Sequence, residues 1–364
     1  MEKKKIVIAH CVVSLSGGVG AMIMNYFDYI QGDYEVHIVT QDYVSDEYVS
    51  LFKNRGYILH LVPSKKDGVI KNISSLCKVF KDINCDIVHA HMTTTNAFPM
   101  FAAILAGVKI RISHSHLDMK LNWFWKMVCF FNKVFSTNLV ACGEEAGKCL
   151  YGKSDFIIFN NAIDLKKYKY NLSTREYLRN KYKIKSNDKV FIHVGRFTEQ
   201  KNHFFLIDVF EKIFKKCKDS CLVLVGEGEL EDDVVAYVKN KHLLNNVYFI
   251  GMVNNVYDYL QMSDAFLLPS LFEGLCIAAV EAQAVGVPCL LSDQVDKKTK
   301  IKDNVYFCSI DSSQKWADKA IDLSSRKFDL DNEKLEKSGY DIEEEARKLD
   351  EFYKSQLAKK RINK

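Results

Sequence analysis

Short apolar runs alternate with longer stretches of helical period along nearly the whole chain, and this alternation restricts the fold more than any other feature. Residues 5–11, 35–40, 57–62, 86–90, 110–114, 139–142 and 156–159 read as strands, with helical patterns filling the gaps. Strands separated by helices pair in parallel through right-handed crossovers, which predicts a doubly wound α/β domain. About 25 polar residues without a strand follow Asn160, running through Lys169 and Asn187, and suit a connection between domains. The alternation then restarts at Lys189 with runs at 190–194, 221–225, 247–250, 265–268 and 289–291, giving a second α/β sheet. The expected division is 1–167, 168–340 and a C-terminal helix in 341–364, whose apolar face carries Ile342, Ala346, Leu349, Phe352 and Tyr353. That helix has either domain open to it, a return to the first among the choices.

At 364 residues the chain is long enough for two cores, and only 4 prolines leave little room for disordered tracts. The opening run is interrupted by His10 and Cys11 and reads as a first strand, not a signal peptide. The longest uncharged apolar stretch, 97–108, contains a proline and is shorter than the ~20 residues a bilayer requires, so no membrane-crossing segment is expected. The net charge of +5 is too mild for a nucleic-acid binder. Most of that excess lies in the first 167 residues, which suits contact with phosphates or anionic lipid. The 11 cysteines form no CxxC pair and read as buried free thiols in a reducing cytosol.

Tandem open sheets place their strand-end loops on either side of a ligand cleft, so the chemistry belongs in those loops. The first strand runs into Ser16-Gly17-Gly18-Val19-Gly20 just before a helix, where glycines and a helix N-terminus together accept an anion. The spacing is not GxGxxG, and no acidic residue closes the second strand, which disfavours dinucleotide binding. The first strand of the second domain ends in Gly195-Arg196, followed by Lys201: two cations five residues apart, placed for a diphosphate. Further on, Glu273, Gly274 and Leu275 enter a helix that holds Glu281 among apolar and small residues. A carboxylate there is costly unless ligand hydroxyls or other donors satisfy it.

The spacing GRxxxxK from Gly195 to Lys201, Glu273 and Glu281 eight apart, and the early GGxG together resemble the retaining glycosyltransferases of family 4, with the GT-B fold. The resemblance spans essentially the whole chain, including Asp86-Ile87-Val88-His89-Ala90-His91, Asn161-Ala162-Ile163-Asp164 and Gly226-Glu227-Gly228. It is greatest to the bacterial capsule and exopolysaccharide branch. It implies that Arg196 and Lys201 bind the nucleotide diphosphate and stabilise the leaving group, and that Glu281 holds the ribose hydroxyls. Glu273 with the Gly274 and Leu275 amides would hold donor sugar and phosphate, and Gly17 and Gly18 would close on the diphosphate from the first domain. A histidine near the donor sugar is also implied, with His114 and His116 as candidates and His116 slightly favoured. Asn202 stands where many relatives have glycine.

The expected activity is transfer of a sugar from a nucleotide-diphosphate-sugar, a UDP-sugar above others, to a lipid-linked or oligosaccharide acceptor, with retention. Rivals are a nonhydrolysing UDP-sugar epimerase and an inactive GT-B partner subunit. No metal or other cofactor is expected: Arg196 and Lys201 take the place of a divalent ion. The pairs His89/His91 and His114/His116 have alternate-residue spacing that suits ligation, but no carboxylate or cysteine accompanies them. The protein is expected in the cytoplasm, leaning on the inner face of the membrane through residues 121–135, where aromatics mix with lysines, helped by Lys65, Lys66, Lys71 and Lys78. Plain core packing of that helix is the competing reading.

Overall fold

The computed structural model describes residues 5–15, 18–41, 46–116 and 123–362. The chain divides into two compact units, Met1–Ile163 with Gly339–Lys364, and Asp164–Ser338. The first division falls ahead of residue 167 because the turn that starts at Asp164 is closed by the Lys167 and Tyr168 amides donating to the Asp164 carbonyl (3.0 and 3.3 Å), and Tyr168 sends its hydroxyl to Glu281 inside the second unit. The second falls just before residue 340 because the Ile163 amide donates to the Tyr340 carbonyl (3.0 Å) and the Ile342 amide to the Ile163 carbonyl (3.1 Å).

The first unit holds strands β1 (Ile6–Val12), β2 (Tyr34–Thr40), β3 (Ile58–Leu61), β4 (Ile87–Ala90), β5 (Ile110–Ser115), β6 (Asn138–Ala141) and β7 (Ile157–Ile158). They form one parallel sheet in the order β3-β2-β1-β4-β5-β6-β7. Its central strands are buried on both faces, which is why they read as near-continuous apolar runs. Ile8, Ile38, Ile87, Ile112 and Val140 face one core, shared with helix Gly18–Tyr29 and the C-terminal helix Ile342–Ile362. Ala9, Val39, Val88 and Ala90 face the other, beneath helices Val69–Asp82 and Ala97–Leu105. The C-terminal helix buries Ile342, Ala346, Leu349, Phe352 and Tyr353 in the first unit, and Tyr34 fixes its angle by donating to Asp350 (2.6 Å).

The second unit holds β8 (Lys189–Val194), β9 (Ser220–Val225), β10 (Val247–Gly251), β11 (Ala265–Leu268), β12 (Cys289–Ser292) and β13 (Val305–Cys308), parallel in the order β10-β9-β8-β11-β12-β13. Its core gathers Phe191, Phe210, Leu222, Leu267 and Trp316. Two elements depart from the sequence reading. Edge strand β13 was not among the expected strands: Val305-Tyr306-Phe307-Cys308 is an apolar run, but a short one, buried at only one of its four residues. The polar stretch expected to be a connector contains helix Leu172–Lys181, which is anchored by charge: Arg179 donates to Asp264 (2.8 Å) and to the Met262 carbonyl (3.0 Å). All 11 cysteines are free, five of them buried and six half-buried. Among the described residues, no helix is long and apolar enough to cross a membrane.

Candidate active site

In the second unit the loop after β8 is tied to the loop after β11. The Leu271 amide donates to the Gln200 carbonyl (2.8 Å), and Gln200 Nε2 donates to the Phe272 carbonyl (2.9 Å). Across this junction Lys201 Nζ lies 2.8 Å from Glu273 Oε2, with each side chain only 15% exposed. Burial works against the Lys201 ammonium, but Cys276 and Glu273 beside it outweigh that and hold its pKa above the ordinary value. Gly195 leaves room for this lysine, since a Cβ there would sit 3.2 Å from Lys201 Cδ and 3.0 Å from His193 Nε2. Asn202, next in the chain, has φ +58°, a left-handed conformation that glycine adopts without strain, which explains glycine at this place in the family pattern. Arg196 stands apart, 76% exposed, its guanidinium 3.9 Å from Glu229, a separation at which an exposed pair contributes little.

Glu273 is pinned through its backbone to the loop after β12: its amide donates to the Gln294 carbonyl (3.4 Å) and its carbonyl accepts from the Asp296 amide (3.0 Å). Gly274 is exposed, and among the described residues the Gly274 and Leu275 amides donate to no protein acceptor. Helix Ile277–Val285 begins just beyond them, so these donors and the positive end of the helix suit an anion. Glu281, on that helix, is half-buried and accepts from the Tyr168 hydroxyl. Burial pushes the Glu281 carboxyl up to about 7, against the opposing pull of Tyr168. The buried Cys276 thiol, raised by burial, lowered by Lys201 and raised by Glu273 and Glu281, marks these groups as one electrostatic neighbourhood. Two buried imidazoles lie beneath: His193, bonded to the Leu267 carbonyl (2.8 Å), and His203, stacked on Phe197 with ring centroids 4.2 Å apart.

In the first unit a cavity of about 330 Å³ opens at the C-terminal ends of β1, β4 and β5, with Gly18, Met92, Thr93, His116 and Asn161 among its lining residues. Gly18 begins helix Gly18–Tyr29; Gly17 lies outside the described residues. Thr93 holds φ +48°, costly for a β-branched residue, and is fixed there in part by Asn132, which donates to the Thr93 and Thr94 carbonyls (3.2 Å each). Asn161 Oδ1 is buried with no partner among the described residues, an acceptor available to a ligand.

The strand period of two places His10, His89 and His114 on one face of adjacent strands, with His91 and His116 extending the row toward the cavity. Hydrogen bonds link His10 Nδ1 to His91 Nε2 (3.0 Å) and His91 Nδ1 to His116 Nε2 (2.8 Å). A second chain links His114 Nδ1 to His89 Nε2 (3.1 Å) and His89 Nδ1 to the Tyr353 hydroxyl (2.7 Å). Burial pushes His10 and His116 down to about 3 and holds His89, His91 and His114 well below the ordinary imidazole range, so all five rings are neutral near pH 7. Of the two candidates from the sequence, His116 lines the cavity and His114 is buried behind it. The structure thus brings Lys201, Glu273 and Glu281 together with the Gly274 and Leu275 amides. Tyr168 and His10 escaped sequence reading because each gains its role from a partner distant in the chain.

Two parallel-sheet Rossmann-like units, the second with Arg196, Lys201 and unpaired backbone amides at its strand ends, define the class as a GT-B glycosyltransferase. A crystal structure of Anabaena Alr3699/HepE in complex with UDP-glucose matches with a TM-score of 0.73 and 16% identity, covering 99% of this chain and 100% of that one. Residues 174–361 match the model of glycosyl transferases group 1, and residues 16–134 that of a glycosyl transferase 4-like family. The chain belongs to the group 1 glycosyl transferases. It is 30% identical over 299 residues to the putative glycosyltransferase EpsF of Bacillus subtilis (78% of this chain, 77% of that protein). It is 28% identical over 315 residues to the UDP-Gal:alpha-D-GlcNAc-diphosphoundecaprenol alpha-1,3-galactosyltransferase of Escherichia coli (79% and 80%). It is 26% identical over 358 residues to the capsular polysaccharide biosynthesis glycosyltransferase CapH of Staphylococcus aureus (93% and 96%).

Proposed function

We propose that the protein transfers a hexose from a UDP-sugar to a polyprenyl-diphosphate-linked acceptor, with retention at the anomeric carbon and without a metal, in capsule or exopolysaccharide assembly. The observation that carries this reading is the Lys201–Glu273 pair set beside the unpartnered Gly274 and Leu275 amides. Charge developing on a departing diphosphate is stabilised most by cations and backbone donors already in place. Lys201 supplies a fixed charge, exposed Arg196 a mobile one, and Glu281 an acceptor for the ribose hydroxyls. The family resemblance further assigns Gly17 and Gly18 to the diphosphate and His116 to the donor sugar. The UDP-glucose complex of HepE supports a UDP donor, and the Escherichia coli relative's name supports a lipid-diphosphate acceptor. Retention and independence of metal rest on the family resemblance.

A lipid-linked acceptor calls for a membrane-facing surface, here on the cytoplasmic side. Helix Trp123–Phe135 exposes Trp123 (76%), Met127, Phe130, Phe131 and Val134, and Ile70 on helix Val69–Asp82 is 85% exposed. Exposed Lys66, Lys71, Lys78 and Lys126 supply positive charge near these apolar side chains in sequence.

The test is a screen of nucleotide-sugars with and without a synthetic polyprenyl-diphosphate-linked sugar, following nucleotide release and product by NMR. An α-linked product from an α-linked donor, formed only with acceptor present, is expected. An inverted product overturns retention, and conversion of the donor sugar without acceptor indicates an epimerase.

A further inference from the structure

We propose that His91, His114 and His116 form a binding site for one borderline divalent transition-metal ion of the zinc class, at the floor of the first unit's cavity. Each of the three offers one ring nitrogen, and those nitrogens lie within 4.8 Å of one another. Three imidazoles without a carboxylate suit zinc, copper or nickel, whereas magnesium and calcium take oxygen ligands. His91 and His116 both line the cavity, so an ion has a path from solvent and a coordination position open toward it, the pattern of a three-ligand zinc site completed by water.

Two further observations point to a ligand. His114 Nε2 is fully buried and has no hydrogen-bond partner among the described residues, an uncompensated polar atom that a metal bond would satisfy. His91 and His114 are each oriented through their second nitrogen by another histidine. His10 Nδ1 lies 3.0 Å from His91 Nε2, and His89 Nε2 lies 3.1 Å from His114 Nδ1, with the Tyr353 hydroxyl supporting His89 in turn. Such outer partners fix ring orientation and tautomer in histidine metal sites. His91 Nδ1 and His116 Nε2, now sharing a proton across 2.8 Å, must part to about 3.3 Å to ligate a tetrahedral ion with bonds of about 2.0 Å. The proton moves to the far nitrogen of whichever ring carries it, so binding shifts tautomers without net proton release.

The site is tested on the full-length chain, free of any affinity tag and stripped with chelator, by zinc titration against a chromophoric chelator and by cobalt as a visible-absorption probe. One tight zinc per chain is expected, with a cobalt spectrum of low-symmetry nitrogen ligation that zinc abolishes. His116→Gln, at the cavity lining, and His114→Ala should each weaken zinc binding about 100-fold or more, while His242→Ala leaves it unchanged. Zinc should also raise the unfolding temperature of the wild type but not of His116→Gln, which reports binding even if His114→Ala folds poorly. Wild-type affinity in His116→Gln, or no stoichiometric zinc in the wild type, overturns the proposal.

Discussion

Lys201 Nζ rests 2.8 Å from Glu273 Oε2, joining the loops after β8 and β11 through a pair that is largely screened from solvent. The lysine is therefore oriented before any ligand arrives, whereas Arg196, 76% exposed, must be recruited. Their removal should have different consequences for the fold. Both Arg196→Ala and Lys201→Ala should slow transfer about 100-fold or more, the usual scale for losing one preorganised contact to developing charge. Lys201→Ala should also cost about 1.5–3 kcal/mol of stability, because Glu273 loses its charged hydrogen-bond partner, while Arg196→Ala leaves stability unchanged. Turnover assays alongside urea unfolding separate the two effects; near-normal turnover in both variants would remove the diphosphate role.

Glu281 is held in a state that favours folding less as pH rises. Its folded pKa, about 7, lies above the ordinary carboxyl value of 4.5, so the folded protein binds that proton more tightly than the unfolded chain. The associated stability is fully present below about pH 4.5 and is lost as pH rises through 7. Glu281→Gln should consequently be more stable than wild type at pH 8, by up to about 3 kcal/mol, with the difference disappearing near pH 4.5. The same variant should bind UDP more weakly at pH 8, where the wild-type carboxylate is ionised. Thermal unfolding and UDP titration at both pH values check this. A variant less stable than wild type at pH 8 would show that the carboxylate is structural.

The central strands of the first unit were legible because parallel strands buried on both faces become apolar runs, and the structure moves the ends of all seven strands by no more than one residue. Helix Leu172–Lys181 was hidden because it buries only Leu178 and Arg179, and hydrophobic periodicity does not register a guanidinium satisfied by Asp264 and four carbonyls. In the site, Arg196, Lys201, Glu273 and Glu281 were visible as spacing. Their pairings were not: nothing local links Tyr168 to Glu281 or His10 to His91, since only the fold brings residues 113 and 81 positions apart together. The C-terminal helix showed its apolar face in sequence, but its partner emerges only in the fold, where that face packs on the first unit, Tyr34 bonds Asp350 and Tyr353 reaches His89.

Transfer should proceed in excess chelator at no less than the rate without it. On the proposed reading Lys201 and Arg196 supply the positive charge for the diphosphate, and the sequence's only Asp-x-Asp, Asp329-Leu330-Asp331, is otherwise engaged: Asp329 pairs with buried Lys302 (3.4 Å), and Asp331 accepts from the Glu333 amide (2.9 Å). Initial rates with EDTA, and then with manganese restored, measure this directly. Loss of activity that manganese recovers would mean that a metal shares the diphosphate.

Membrane contact should depend on the apolar side chains that helix Trp123–Phe135 turns to solvent. Trp123 is 76% and Phe130 53% exposed, whereas Trp125 is half-buried, so the first two are the ones to substitute in testing for contact with lipid. Phe131 and Phe135 stack with centroids 5.5 Å apart, and Phe135 meets Phe101 at 5.2 Å. The helix is therefore anchored to its neighbour through one set of rings and free to insert another. Burial of apolar area and attraction of the nearby lysines to anionic headgroups reinforce each other, but only the second weakens with salt. Wild-type protein should sediment with anionic vesicles, less so as salt is raised, and hardly at all with vesicles of neutral lipid. Trp123→Ser with Phe130→Ser should reduce sedimentation severalfold at low salt without lowering the unfolding temperature, since both side chains already face water. Equal recovery of wild type in the supernatant with and without anionic lipid would confine this helix face to another role.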